Sequence, residues 1–231
     1  MVIGNGLLGS KFYTNYYNNP DILIFASGVS NSKSTNQSGY SREFELVKVS
    51  IDENPAKHFV YFSTCSINDP DEQGSLYTTH KKNIEAYIMQ TCANWNIFRV
   101  SNVVGKTNNP NTVLNYFYNC ITTNIPFALW RNAYRNLIDI DDLFKIVCFV
   151  LEDGKIKNQV VNIANSKNYS VVEIVQEIET YCNKNGNYTL LNKGSNYKID
   201  VTDLHTVLYK LQINFPSNYL SLLLKKYYQK A

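Results

Sequence analysis

The sequence is short of paired cysteines, of net charge and of long apolar runs, and each shortage removes a class of function. Its five cysteines, Cys65, Cys92, Cys120, Cys148 and Cys182, are odd in number, widely spaced and never arranged C-x-x-C. A disulfide framework or a zinc site is therefore not expected. His58, His80 and His205 are scattered and form no H-E-x-x-H or similar cluster, so no metal is implied. Net charge is only +3, from 22 Lys+Arg against 19 Asp+Glu, too weak a bias to suggest nucleic acid or an acidic membrane surface. No apolar run approaches the ~20 residues that span a bilayer, so membrane insertion is not expected. The opening Met1-Val2-Ile3-Gly4 lacks a basic segment followed by an apolar stretch. No secretory leader is expected, and the cysteine usage fits the cytoplasm.

What is present is an ordinary globular composition. The 231 residues are 44% hydrophobic and 18% charged, enough for one large domain or a domain with a small annex. A short apolar strand, 1–3, runs into Gly4-Asn5-Gly6-Leu7-Leu8-Gly9 and an amphipathic helix with Leu7, Leu8, Phe12 and Tyr16 on one face. Asn18-Asn19-Pro20 stops it. The continuous run 22–26 reads as a strand buried on both faces of a parallel sheet. Further strands are expected over 58–63, 97–100, 160–163 and 188–191, with a short extended piece at 127–130. Helices are expected over 40–52, 76–92, 112–123, 141–151, 170–182, 202–209 and 217–229. Ser170 and Glu173 have the spacing of a capping box. Strands alternating with helices at this spacing predict an α/β doubly wound parallel sheet.

Three motifs carry chemistry. Gly4, Gly6 and Gly9 match G-x-G-x-x-G between a strand and a helix. There the first glycine allows a tight turn, the second a close approach of backbone to a pyrophosphate, and the third close packing of helix on strand. Tyr77 and Lys81 stand i and i+4 on one helix face. An ammonium there would lower a phenol from its usual pKa of ~10 and let it trade a proton with a hydroxyl or carbonyl; the alternative is a surface pair. Ser63-Thr64-Cys65-Ser66 ends the 58–63 strand, where ligands bind in open α/β sheets. Thr64 could hold a substrate oxygen or merely cap the strand end.

Together these motifs resemble the extended short-chain dehydrogenase/reductase superfamily, specifically its NAD(P)-dependent epimerase/dehydratase family acting on nucleotide sugars. Residues 22–28 resemble the family's strand whose end lies beside the nicotinamide ribose, and 61–65 the strand carrying the catalytic Ser/Thr. Phe98-Arg99-Val100-Ser101-Asn102-Val103-Val104-Gly105 is similar to the family's L-R-x-x-N-V-x-G, and 135–142 to its R-D-x-I-x-V-x-D. The resemblance implies a Rossmann-like core over 1–105 and 139–165, with a small substrate-binding subdomain over 106–138 and 166–231. It implies NAD or NADP as cofactor, bound by Gly4, Asn5, Gly6, Leu7, Leu8, Gly9, Ala26, Ser27, Gly28 and Lys81. Tyr77, Lys81 and Thr64 would be the catalytic set, and Asn102 and Arg135 would hold the diphosphate of a nucleotide-sugar substrate. A homodimer through the helices at 40–52 and 76–92, and a place in surface-polysaccharide or glycan biosynthesis, follow from the same resemblance.

Two departures stand out. The family has a further strand, helix and strand between the glycine helix and the 22–26 strand, where this chain has only 18–21. The acidic residue that binds the adenosine ribose belongs to that segment, and no residue here inherits its role. Cys65-Ser66 replaces the Asp-Glu of the sugar 4,6-dehydratases. Cys65 could serve as an acid/base in an epimerisation, or be a small buried residue. These departures leave a second reading, a catalytically degraded subunit that binds a nucleotide sugar or forms a complex without turning over a cofactor.

Overall fold

The structure, a computed structural model, describes residues 1–228. The chain runs β1 (Val2–Ile3), α1 (Leu7–Tyr16), β2 (Ile22–Phe25), α2 (Gln37–Asp52), β3 (His58–Thr64), α3 (Leu76–Thr91), β4 (Trp95–Val100) and β5 (Asn102–Val104). It continues α4 (Val113–Thr123), β6 (Phe127–Trp130), β7 (Tyr134–Asp139), α5 (Ile140–Asp153), β8 (Gln159–Ile163), β9 (Asn168–Ser170), α6 (Val171–Cys182), β10 (Tyr188–Leu191), α7 (His205–Leu211) and α8 (Tyr219–Tyr227). Two short 3-10 turns, Cys65–Asn68 and Pro70–Glu72, follow β3. The expected helix 217–229 ends at Gln229, which lies outside the described residues.

Five strands form one parallel sheet in the order β1-β2-β3-β4-β8. Side chains on a strand alternate between faces, and here both faces are covered. Ile24, Val60, Phe62, Phe98 and Val161 meet Phe12 and Tyr16 of α1 and Leu143, Ile146 and Val150 of α5. Leu23, Phe25, Phe59, Tyr61 and Ile97 meet Val47 and Ile51 of α2 and Ile84 and Ile88 of α3. Burial on both sides is why these strands are apolar runs rather than alternations. A full doubly wound dinucleotide sheet has the order 3-2-1-4-5-6. In this chain β1 is an edge strand, and only residues 17–21 link α1 to the neighbouring β2. The fold is thus the shortened Rossmann-like one, with the two strands that would lie beyond β1 missing.

A second apolar cluster brings together α4, α6 and α8 with β6, β7 and β9, including Leu114, Ile121, Leu129, Leu137, Ile174 and Leu223. Its small sheets are β5-β7-β9 and β10-β6. Strands β5, β7 and β9 were not anticipated. β5 and β9 have three residues each, and β7 and β9 carry the polar Arg135, Asn136 and Asn168. Asn136 is buried, and its Nδ2 donates to the carbonyls of Asn165 and Lys167 and to Asn168 Oδ1. Side-chain amides thus hold this joint where an apolar pattern is lacking. The capping box at α6 forms only by half. Ser170 Oγ accepts the Glu173 N–H at 3.0 Å, while the Glu173 carboxylate pairs with Lys167 at 3.0 Å.

Helix α8 docks on the N-terminal end of α5. Lys226 reaches Asp139 and Asp141, each at 2.6 Å, and Tyr219 donates to Asp142 at 3.0 Å. These carboxylates also suit the positive end of the α5 dipole. Among the described residues no helix is long and apolar enough to cross a membrane.

Candidate active site

The glycine loop adopts the geometry its spacing requires. Gly4 has φ +114°, and a Cβ there would lie 2.3 Å from the Ala26 carbonyl oxygen. A Cβ on Gly9 would lie 2.2 Å from the Gly4 carbonyl oxygen. These two contacts lock the loop against the end of β2 and the start of α1. Gly6 differs, because a Cβ there meets nothing within 4 Å. Gly6 is also the N-cap of α1 and supplies no side-chain cap, and the first turn carries no acidic residue. The first N–H groups of a helix lack intrahelical partners and favour an anion. An open approach over Gly6, facing an uncapped helix N-terminus, therefore fits a pyrophosphate. Asn5 is exposed, Leu7 and Leu8 are half-buried, and the Asn5 carbonyl accepts from Ser10 Oγ at 3.0 Å.

Beyond the loop, the end of β2 passes over a buried ion pair. A Cβ on Gly28 would lie 2.8 Å from Lys81 Nζ and 2.9 Å from Glu43 Oε1. Lys81 Nζ donates to Glu43 Oε1 at 2.8 Å and to the Tyr61 hydroxyl at 2.9 Å. Glu43 is fully buried and accepts three further hydrogen bonds: Tyr61 OH at 2.6 Å, the Val29 N–H at 2.7 Å and His80 Nε2 at 3.0 Å. Burial alone would raise the Glu43 carboxyl. The Lys81 ammonium and the hydrogen bonds from His80, Lys81 and Tyr61 outweigh it and hold the group at about 2. Ser27, expected at the cofactor, receives Arg42, whose Nη2 donates to the Ser27 carbonyl at 3.2 Å.

Tyr77 and Thr64 come together at the carboxyl end of β3. The Tyr77 hydroxyl is hydrogen-bonded to the Thr64 side chain, and the Lys81 ammonium lies 5.8 Å from the Tyr77 ring centre. Both Tyr77 and Lys81 are buried, so this is no surface pair. Thr64 fulfils the capping role as well, its Oγ1 accepting the Ser66 N–H at 3.1 Å. Ser63 Oγ, at the same strand end, is buried with no protein partner. That leaves a polar atom free for a bound group.

Two expectations are corrected here. The Tyr77 phenol is pushed above its ordinary pKa, not below it. Burial is the main cause, and the Glu43, Glu72 and Cys65 charges add to it against the Thr64 hydrogen bond. The Lys81 charge that was to acidify Tyr77 is already engaged by Glu43. Cys65 is not placed for acid/base work. It is 1% exposed, packs with Ala164 and Ile199, and its Sγ donates to the Arg99 carbonyl at 3.1 Å. Burial, partly opposed by Arg99, pushes the thiol up to about 12.

Of the residues assigned to the diphosphate, Asn102 Nδ2 donates to the Asn136 carbonyl at 2.9 Å, across the β5–β7 pair. Arg135 Nη1 donates to the Tyr134 carbonyl at 2.7 Å. Its charge lowers Asp69 and Glu72 on the loop after β3, although burial dominates and leaves both raised. The fold thus brings Arg135 to the loop leading into Tyr77. Sequence reading missed Glu43, Tyr61, His80, Asp69 and Glu72. For Glu43 a signal existed: it falls in the helical stripe Tyr40, Glu43, Val47, Ile51, whose other members are apolar.

Comparison with known proteins bears on the family and the fold. The model of the family described as "NAD dependent epimerase/dehydratase family" matches residues 15–164, well over half of the chain, opening just after the glycine loop. No curated protein sequence matches. Among solved structures, UDP-glucose 4-epimerase of Thermus thermophilus, in complex with NAD, superposes with a TM-score of 0.72 at 13% identity. The alignment covers 96% of this chain and 82% of that one. UDP-glucuronic acid 4-epimerase of Bacillus cereus, in complex with UDP-glucuronic acid and NAD, gives 0.70 at 17% identity, covering 95% and 76%. dTDP-glucose 4,6-dehydratase of Bacillus anthracis, in complex with NAD, gives 0.67 at 15% identity, covering 88% and 70%. At these identities the structures speak for the fold, and the sequence match speaks for the family. This chain belongs to the NAD dependent epimerase/dehydratase family.

Proposed function

We propose that the protein is an NAD(P)-dependent reductase or epimerase acting on a nucleotide-linked sugar. One observation carries this reading: an open, uncapped glycine loop and a buried Thr64–Tyr77–Lys81 group converge at the carboxyl ends of β1, β2 and β3. That is where open α/β sheets bind ligands. A nicotinamide bound beside Gly28 supplies hydride chemistry. The residues then divide the remaining work. Tyr77, held as the neutral phenol by burial, gives its proton to the sugar oxygen as the carbonyl becomes an alcohol, or takes it back in the reverse direction. Thr64 holds that oxygen. Lys81 and Glu43 fix the floor under Gly28. Gly6 and the first turn of α1 receive the pyrophosphate of the dinucleotide. Asn102 and Arg135 would take the nucleotide-sugar side, Arg135 as a planar fork suited to a diphosphate. The Arg135 guanidinium would exchange the company of Asp69 and Glu72 for phosphate oxygens. The sugar product would serve surface-polysaccharide or glycan synthesis.

The edge position of β1 favours a second reading, a nucleotide-sugar-binding subunit without cofactor turnover, because the adenosine half of a dinucleotide has no strand to lie against. Substitutions in the glycine loop separate fold from binding. Gly6→Ala adds a methyl to open space, so its melting temperature should match wild type while dinucleotide binding in calorimetry is lost. Gly9→Ala drives a methyl into the Gly4 carbonyl and should lower the melting temperature itself. Unchanged dinucleotide affinity in Gly6→Ala would remove the loop from the cofactor site. If a dinucleotide binds, Tyr77→Phe should abolish turnover of a UDP- or dTDP-sugar and leave cofactor affinity largely intact; unchanged turnover would remove Tyr77 from its role.

We also place a dimer contact on α2 and α3, where Val49 and Met89 are 47% and 43% exposed. Light scattering should return twice the mass of 26.5 kDa, and a monomeric mass would refute the pairing.

A further inference from the structure

The ion pair beneath Gly28 has a consequence for Tyr77 that rests on the reading of Tyr77 as the proton donor. A lone ammonium some 4–6 Å from an ionisable group favours its anion and lowers its pKa by about 1–3 units. Here the ammonium is not alone. Glu43 Oε1 sits 2.8 Å from Lys81 Nζ, inside the same buried cluster. The carboxylate is held in place from three other elements: Tyr61 on β3, the Val29 N–H on the loop after β2, and His80 on α3. Neither charge can turn away to solvent, since the Lys81 and Glu43 side chains are 3% and 0% exposed. Seen from Tyr77, a positive and a negative charge that close together largely cancel.

We propose that Glu43 is a positioning residue that masks the Lys81 ammonium and so decides whether Tyr77 works as a neutral phenol or as a phenolate. The other groups around Tyr77 cannot supply the masking. Thr64 on β3 donates or accepts a neutral hydrogen bond, and Cys65 is a buried thiol. Glu72 on the turn before α3 and Tyr40 on α2 also face Tyr77, but neither hydrogen-bonds Lys81. Tyr61 on β3 also faces Tyr77 and accepts from the ammonium at 2.9 Å, but it is a neutral phenol; among these groups Glu43 is the carboxylate that touches the ammonium. With it in place the site favours giving a proton; without it the same site favours removing one.

The test is Glu43→Gln, which keeps the shape and removes the charge. Tyrosine ring NMR across pH, with the Tyr77 signal assigned from Tyr77→Phe, reads the ionisation whether or not turnover is found. The ionisation midpoint of Tyr77 should fall by about 1–3 units in Glu43→Gln, and the alkaline limb of any reductive rate profile should move down with it. An unchanged midpoint would overturn the proposal. So would loss of the proton from Lys81 while Tyr77 stays neutral.

If Glu43→Gln does not fold, the paired variant Glu43→Gln with Lys81→Met replaces both charges by groups of similar volume, a change buried pairs often tolerate. Masking predicts a Tyr77 midpoint close to wild type in that variant. A midpoint clearly above wild type would mean that Lys81 reaches Tyr77 past Glu43, and would contradict the proposal. Loss of turnover in Tyr77→Phe is a separate result. It bears on whether Tyr77 is the donor, and leaves the masking by Glu43 to be judged by NMR.

Discussion

The buried contact between Glu43 and Lys81 organises the working end of this protein. Two opposite charges taken out of water are tolerated only when their remaining hydrogen-bonding capacity is met, and removing one partner of such a pair costs roughly 3–5 kcal/mol. Here the capacity is met by groups from four places: α2 and α3, which bear the charges, β3 through Tyr61, and the loop after β2 through Val29. The pair therefore sets how the helices on one face of the sheet sit against its carboxyl end. A Cβ on Gly28 would lie within 3 Å of both charged groups, so a side chain there would displace the pair. Tyr77 inherits its environment from this contact. Its phenol is buried, its neighbouring ammonium is engaged, and Thr64 is its hydrogen-bond partner.

The other constraint is the shortened sheet. With β1 at the edge, the loop proposed to receive a pyrophosphate is intact, yet the strands that would flank an adenosine are missing. The family match begins at residue 15, so it rests on the sheet from β2 onward and on α2, α3 and α5 rather than on the glycines. The two halves of the site are thus unequal. The end proposed to handle the reacting atoms is buried and well connected by hydrogen bonds. The end that would grip the far half of a dinucleotide is open.

Much of this was legible in the residues. The spacing of Gly4, Gly6 and Gly9 between strand and helix encodes steric facts: Gly4 and Gly9 leave no room for a Cβ, and Gly6 faces open space. The apolar run at 22–26 announces burial on both faces, and the near absence of chain between α1 and β2 announces the missing segment. What could not be read came from groups distant in sequence. The upward shift of Tyr77 comes mainly from burial, and Glu43, a residue 34 positions away on another helix, adds to it. Cys65 looked reactive because a strand end is a place for chemistry, but its thiol turns inward onto Arg99. Strands β7 and β9 carry no apolar periodicity where they meet: Asn136 and Asn168 face each other across the pair, and the Asn136 amide donates to Asn168 Oδ1.

The most direct test of the account is saturation-transfer NMR on the protein mixed with NADH, which maps the parts of the dinucleotide that touch the chain. The nicotinamide ring and its ribose should receive strong transfer, since they would lie between Gly28 and Tyr77, while the adenine protons should receive little beside the open edge of β1. Strong transfer to adenine with a silent nicotinamide, or no transfer at all, would contradict the account.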